Sequence, residues 1–242
     1  MYKHHILIKD KHLAAHLPET YKYTRWTFWK MLNKHQDVVI KPIIGSFGKN
    51  VIRISLIKSG VYKVHEDANS KIIKGRKKLE LFLKEKTGKT PFLVQYCIQL
   101  ATVNDMSLDF RYIVQRRGTE TDWEITGKHG KVAKSGFFIT NLNKGASVVA
   151  VEEALKLCHN DNVDINQVMN KLEWLSLNCA KCLTSYFPRH TIWGLDLAVD
   201  RNGKVWIIEV NANPKVEGFS FLNDLSMYQT IKKYQAYNKN YR

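Results

Sequence analysis

No uncharged apolar run in the chain approaches the ~18 residues that a membrane-spanning helix needs, so a single-pass anchor is not expected. The basic N-terminus, MYKHHILIKDKH, has too short an apolar stretch to act as a secretion signal, which makes a cytoplasmic location the expectation. No Pro/Gly/Ser-rich linker, internal repeat or low-complexity tract divides the chain. Acidic residues are scarce: 22 Asp and Glu stand against 38 Lys and Arg, for a formal net charge of +16. Such a field attracts polyanions, whether nucleic acid, an acidic peptide, a membrane surface or nucleotide phosphates, and it also serves plain solubility. Lysines are densest in KIIKGRKK (71–78) and IKKYQAYNKNYR (231–242). Neither segment carries a Cys/His finger or another nucleic-acid module, so nucleic acid is not the expected partner.

Cysteine is also sparse. Of Cys97, Cys158, Cys179 and Cys182, the last two form a C-x-x-C inside LEWLSLNCAKCLTSYF, which reads as a helix. A spacing of three places both thiols on one helical face, and no second pair completes a zinc site. Buried, reduced thiols are the expectation.

What is present supports a folded enzyme-sized core. At 242 residues and 44% hydrophobic, the chain can form one compact unit with two lobes. Pro18-Glu19-Thr20 opens a predicted helix through Tyr21–Leu32, with Thr20 as cap. DVVIKP (37–42) and VIRISL (51–56) read as strands around a Gly45-Ser46-Phe47-Gly48 loop. Leu79–Lys86 reads as helix, and Phe92–Leu100 as an apolar strand or strand edge. Asp109–Arg116, Trp123–Lys128 and Phe137–Thr140 suggest a meander, and Ala150–His159 and Ile165–Phe187 have helical periodicity. Gly194–Val199 and Val205–Asn211 read as a hairpin. Helices and strands mix without regular alternation, which predicts an α+β fold.

The strongest chemical signal is GLDLAVDRNGKVWIIEVNANP, residues 194–214. Asn202-Gly203 is a strong two-residue turn signal, because both turn positions need a positive φ. That turn sets Arg201 opposite Lys204 and Asp196 opposite Glu209, with Asn211 on the same face two residues on. Leu195, Leu197, Val199, Trp206, Ile208 and Val210 would fill the opposite face, while Ala198 and Ile207 continue the carboxylate face. Opposed carboxylates about 4.5–5.5 Å apart at Cβ destabilise a covered sheet unless a cation or proton intervenes. Two carboxylates and an amide suit magnesium or manganese, completed by phosphate oxygens. The alternative is an exposed rim on which each acid finds its own Lys or Arg. A one-residue slip in register would separate the two acids.

VVIKPIIGSFGKNVIRI (38–54) is the second signal. Lys41 ends a β-branched run and points inward, where a buried ammonium needs an anionic partner. Gly45 and Gly48 let backbone N–H groups approach an anion, and Ser46 and Lys49 add a hydroxyl and a charge. The loop lacks Walker A spacing and leads into a strand, not a helix. Three lesser features lie between the two signals. FLVQYCI (92–98) could face an adenine ring. Asp109 and Arg111 share a strand face, as a plain ion pair or a substrate clamp. Asn141–Gly145 is either a polar loop over phosphates or an ordinary turn.

Taken in order, HLPET, VIKPIIGSFGKNVIRI, FLVQYCI, DFRYIV, ITNLNKG and IIEVNANPKVEGF resemble the motifs of the ATP-grasp superfamily. The likeness is closest to the YheC/YheD-type group, associated with bacterial endospore coats, and more distant to the ribosomal-protein glutamate ligase. It runs from about Leu17 to Phe221. It implies two α+β lobes with ATP held between them: a lead-in (1–17), a first lobe (18–98), a second lobe (99–225) and a basic tail (226–242), without the N-terminal domain of larger relatives. It also implies residue roles. Lys41 and the Gly45, Ser46, Gly48 and Lys49 loop would contact the ATP phosphates, and Gln95, Tyr96, Cys97 and Ile98 would line the adenine. Asp196, Glu209 and Asn211 would hold magnesium, or manganese. Arg111, Lys131 and Asn141 would lie near the transferred phosphoryl group and the acyl intermediate.

The implied activity is an ATP-dependent carboxylate–amine ligase working through an acyl phosphate, on a peptide or protein substrate for which an acidic acceptor suits the positive field. The alternative is a spore-coat-associated ATP-binding protein with little or no ligase activity. The altered NLNKGA segment and the expected lack of the N-terminal domain motivate that alternative, and the chain departs from the family pattern in its residue types. Lys131 stands where the family usually has arginine, and NLNKGA replaces NLHRGG, so that Asn143, Lys144 and Ala146 differ. Lysine offers a point charge in place of arginine's bidentate fork.

Overall fold

The computed structural model describes residues 2–44, 50–120, 122–158 and 163–239. Helices α1 (Tyr2–Leu7) and α2 (Lys11–Ala14) precede strand β1 (Thr20–Lys22), helix α3 (Arg25–His35) and strands β2 (Asp37–Pro42), β3 (Ile52–Lys58), β4 (Val61–Glu66) and β5 (Asn69–Lys74). Helix α4 (Arg76–Thr87) and strand β6 (Phe92–Tyr96) complete the first lobe. The second lobe contains strands β7 (Thr102–Val103), β8 (Met106–Gln115), β9 (Glu124–Val132) and β10 (Ser147–Val149), then helices α5 (Val151–Cys158) and α6 (Ile165–Thr184). Strands β11 (Ile192–Val199) and β12 (Val205–Asn211) and helix α7 (Ser226–Lys239) follow.

The first sheet has the order β1-β6-β2-β3-β4-β5 and pairs antiparallel throughout. Alternation along its strands sends Val38, Ile40, Ile52, Ile54, Tyr62, Val64 and Val94 to one face, where Phe28, Met31, Leu32, Leu79 and Leu83 from α3 and α4 cover them. Helix α3 starts at Arg25, later than the expected Tyr21, because Thr20–Lys22 adds to the sheet beside Leu93–Gln95. Thr24, not Thr20, caps the helix: its hydroxyl accepts from the Thr27 N–H, and the Thr27 hydroxyl accepts from the Thr24 N–H. Strand β6 is interior, flanked by β1 and β2, and so is not an edge.

The second sheet has the order β10-β9-β8-β11-β12. Its larger core joins Leu108, Phe110, Tyr112, Leu195, Leu197, Ile207 and Val210 to Leu172, Leu175 and Cys179 of α6. The stretch read as a lead-in belongs to this core, since Ile6, Leu7 and Leu13 are buried in it. The stretch read as a basic tail forms α7 through Lys239 and buries Ile231 against Ile113 and Phe219 on the opposite face of the sheet. Phe137–Thr140 is not a strand. A turn closes there, from the Phe137 N–H to the Lys134 carbonyl, with Gly136 at φ +84, and β10 supplies the second partner of β9 beside β8. None of the four cysteines forms a disulfide, and Cys179 is buried while Cys182 is half-buried. No helix among the described residues is long and apolar enough to cross a membrane.

Gly127 lies where α7 approaches the sheet. A Cβ there would stand 2.6 Å from a Phe219 ring carbon and 2.7 Å from the Ile231 terminal methyl. Gly127→Ala is therefore expected to destabilise the fold by about 1–3 kcal/mol through overpacking, read as a lowered urea midpoint with unchanged m-value.

Candidate functional site

The two lobes meet along the outer strand of the second sheet. Ile207–Val210 of β12, Lys41–Ile43, Leu93 and Gln95 of the first lobe, and Lys3, His4 and Leu7 of α1 enclose a cavity of about 220 Å³. The link at its back is continuous backbone. Leu100 bridges to Asp200, the Ala101 N–H donates to the Val199 carbonyl at 2.8 Å, and the Tyr96 and Trp206 rings stand 6.0 Å apart.

The expected hairpin forms, but by another route. The loop spans three residues, 201–203, with the Asp200 N–H donating to the Lys204 carbonyl and Gly203 at φ +80. Near the loop, Val199 therefore pairs with Val205 and Leu197 with Ile207. A bulge then shifts the register between Asp196 and Leu197, and Asp196 pairs with Glu209 as the two-residue turn would have set it. The shift corrects the neighbours: Ile207 joins the core face with Leu197, and Trp206 turns to the first lobe, against Tyr96.

Across one face of the second sheet, ladder partners run Glu209–Asp196–Arg111–His129, with Asp109 opposite Lys131 in the adjacent row. Arg111 clamps Asp196 bidentately, Nε to Oδ1 at 2.9 Å and Nη2 to Oδ2 at 3.0 Å. The Lys131 ammonium lies 2.8 Å from Asp109 and 3.3 Å from Asp196, so it bridges the two acids. Asn211 Nδ2 donates to Asp196 Oδ2 at 3.2 Å, and Thr140 Oγ1 donates to Asp109 Oδ2. Burial pushes the Asp109 carboxyl up to about 6, against the pull of Lys131. Burial also opposes ionisation of Asp196, yet Arg111 and Lys131 outweigh it and hold that carboxyl below the usual range. Gly194, paired with Asn211, admits this crowding: a Cβ there would meet Pro214 Cβ at 2.3 Å.

From the first lobe, Lys41 donates to Gln95 Oε1 at 2.9 Å, and Gln95 Nε2 donates to Thr20 Oγ1 at 2.8 Å. Burial draws the Lys41 pKa below the usual lysine range, and the charges of Glu209 and Asp196 work against that fall. Cys97 is buried with its thiol pushed up to about 12, first by desolvation and then by Asp37, and Ile98 is buried beside it. Asn141 opens a short 3₁₀ turn, accepting from the Asn143 N–H at 2.9 Å. Gly45, Ser46, Gly48 and Lys49 lie outside the described residues.

Lys41, Gln95, Asp196, Glu209, Asn211, Arg111 and Lys131 thus share one region between the lobes. Asp196, Glu209 and Asn211 present hard oxygen donors on adjacent positions, with Glu209 exposed to the cavity, a set that fits magnesium or manganese. No group of three or more His, Cys, Asp and Glu suited to a metal occurs among the described residues, and Asn211 would be the third protein donor here. Several neighbours carried no signal in the sequence. Lys3 and His4 reach the cavity only because α1 packs there, and Thr20 is placed by its strand. Asp109 was legible as the alternate-position neighbour of Arg111.

Two α+β lobes around such a cleft define an ATP-grasp protein. The chain belongs to the YheC/D-like ATP-grasp family, whose pattern matches residues 1–239. It is 24% identical over 226 residues to the endospore coat-associated protein YheD of Bacillus subtilis (strain 168), covering 91% of this chain and 49% of that protein. The chain therefore spans about half the length of that relative. Among solved structures, the VanG D-Ala:D-Ser ligase of Enterococcus faecalis superposes with a TM-score of 0.59 at 13% identity, over 99% of this chain and 60% of that one. The ATP-grasp ligase PsnB, complexed with minimal precursor, Mg and ADP, gives 0.50 at 13% identity, over 98% and 61%. These likenesses establish the fold.

His129 is buried, donates from Nδ1 to the Gly130 carbonyl at 3.1 Å, and has its pKa lowered to about 4, chiefly by desolvation. A histidine held neutral in the fold costs stability wherever the unfolded chain takes up the proton first. Stability is therefore expected to fall as pH drops from about 6.5 to about 4, by about 2–3 kcal/mol from this group. Comparing urea unfolding of the wild type and His129→Gln at pH 7 and pH 4.5 checks it; an identical pH slope in both would remove His129 as the cause.

Proposed function

We propose that the protein is an ATP-dependent carboxylate–amine ligase that activates a carboxylate as its acyl phosphate, with a peptide or protein as substrate. The observation that carries this reading is the convergence of Lys41 and Glu209 on one interlobe cavity, with Asp196 paired to Glu209 on the hairpin and Asn211 bonded to Asp196. A substrate carboxylate oxygen attacks the γ-phosphorus of ATP and ADP departs. The amine then attacks the acyl carbon, and phosphate leaves with the transferred oxygen.

Such chemistry needs positioning and charge neutralisation more than a side-chain nucleophile. Asp196, Glu209 and Asn211 would hold magnesium, which supplies charge neutralisation at the phosphates when bound. Lys41 meets the phosphates from the first lobe, with Gln95 setting the direction of its ammonium. Tyr96, Cys97 and Ile98 form the adenine wall, and Gly45, Ser46, Gly48 and Lys49, outside the described residues, are the further phosphate contacts of this reading. Arg111 steadies the acyl phosphate, Lys131 holds Asp109 and Asp196 together beside it, and Asn141 orients the polar loop above. The same reading places the protein in the cytoplasm with a spore-coat association, in keeping with the name of its YheD relative.

Glu209→Gln and Lys41→Ala are each expected to reduce magnesium-dependent ADP release by at least about 100-fold, with unchanged circular dichroism and melting. Turnover at wild-type level in both variants would remove these roles. ADP release that fails to respond to any added carboxylate and amine, with nucleotide binding intact, would support the alternative of an ATP-binding protein without ligase activity.

A further inference from the structure

The positive charge of the chain is unevenly divided. Residues 18–98 hold 17 Lys and Arg against six Asp and Glu, whereas residues 99–225 hold 14 against 15. In the first sheet, the face covered by α3 and α4 takes one set of alternate residues. The other set points away from those helices. Beside the cavity, on β6 and β2, it includes Gln95 and Lys41. Farther out it includes Arg53 on β3, Lys63 on β4, and Ile72 and Lys74 on β5.

Lys63, Ile72 and Lys74 are exposed, and Ile72 lies directly across from Lys63. Arg53 and Ser55 already occupy the carboxylate of Asp37, the acid on this face of β2. Among the described residues, neither Lys63 nor Lys74 has a carboxylate partner. Among the described residues, the outer strand β5 has only β4 as a ladder neighbour, at the edge of the sheet. Edge lysines alone answer the need to block strand pairing. They do not account for a half-exposed isoleucine set between them on the face that leads to the cavity.

We propose that this face, across β3, β4 and β5, docks an acidic peptide segment whose carboxylates meet Lys63 and Lys74 and whose apolar side chain meets Ile72. The same face continues past Arg53 and His65 to Lys41, and Phe138 and Gly136 of the second lobe contact His65 on the way. Docking gives the ligase reading a substrate class and rests on it for that purpose only, because the surface and its charge stand without any chemistry. Peptide is favoured over nucleic acid because an apolar contact at the centre of the patch has no counterpart on a phosphate backbone.

A fluorescein-labelled peptide of alternating glutamate and leucine, followed by anisotropy, tests this at two salt concentrations. The double variant Lys63→Glu/Lys74→Glu is expected to weaken binding at least about tenfold, and Ile72→Ser by about threefold. The control Lys77→Glu/Lys84→Glu, on exposed positions of α4, makes the same change in net charge and is expected to weaken binding less than about twofold. Equal losses in both double variants would reduce the effect to net charge and overturn the site. Tighter binding of a single-stranded oligonucleotide of equal charge, displacing the peptide, would overturn the choice of partner. Magnesium–ATP binding is measured in parallel on the same proteins. Peptide binding without any nucleotide binding leaves the docking face standing while removing the ligase reading, and nucleotide binding without peptide binding does the reverse.

Discussion

A carboxylate in the middle of a sheet face is stable only when cations answer it, and Asp196 is answered from two directions. Arg111 grips both its oxygens from the neighbouring strand, and Lys131 reaches it from one strand farther while also holding Asp109. Two acids and two bases alternate in space, so removal of any one leaves a buried charge uncompensated, an imbalance that costs about 3–5 kcal/mol in comparable sites. The arrangement keeps three strands in fixed register at the point where the lobes face each other. It also brings Arg111 beside the oxygens proposed to hold magnesium.

The second lobe carries a hydrophobic layer on each side of its sheet, and the polar row occupies what neither layer covers. One layer is built on α1, α2, α5 and α6, the other on α7 and the 3₁₀ turn around Phe219. The uncovered strip is the one that meets the first lobe. Contacts at both ends define the cleft. At the back, Gln99–Ala101 pair with the residues flanking the β11–β12 loop. At the front, Lys144 pairs with Asp67, and His65 lies against Phe138 and bonds the Gly136 carbonyl at 3.1 Å. Lys144, one of the departures from the usual family pattern, is thus committed to the opposite lobe.

Most strands, and helices α5 and α6 of the second lobe, were legible because their periodicity is strong. DVVIKP forms its strand at the expected bounds, and α6 starts at Ile165. The errors have local causes. Tyr21 follows a helix-like start signal, but its segment is drawn into the sheet by β6. Phe137 and Phe138 look like strand residues, yet Phe138 packs on His65 across the lobes. The pairing of Asp196 with Glu209 was reached from a turn that does not form. A three-residue loop displaced the register by one and a bulge restored it. The acids met as expected, while Ile207 and Trp206 exchanged faces.

The sequence by itself determined that two acids and an amide would share a hairpin face, that a lysine would end a buried strand, and that charge would be strongly positive. Each follows from alternation, turn chemistry or counting, which need no distant partner. Only the tertiary structure decided what answers those charges. Arg111 and Lys131 lie 85 and 65 positions from Asp196, and Gln95 lies 54 positions from Lys41. Contacts across such separations depend on strand order and on how lobes close. Neither is written in any local pattern of residues.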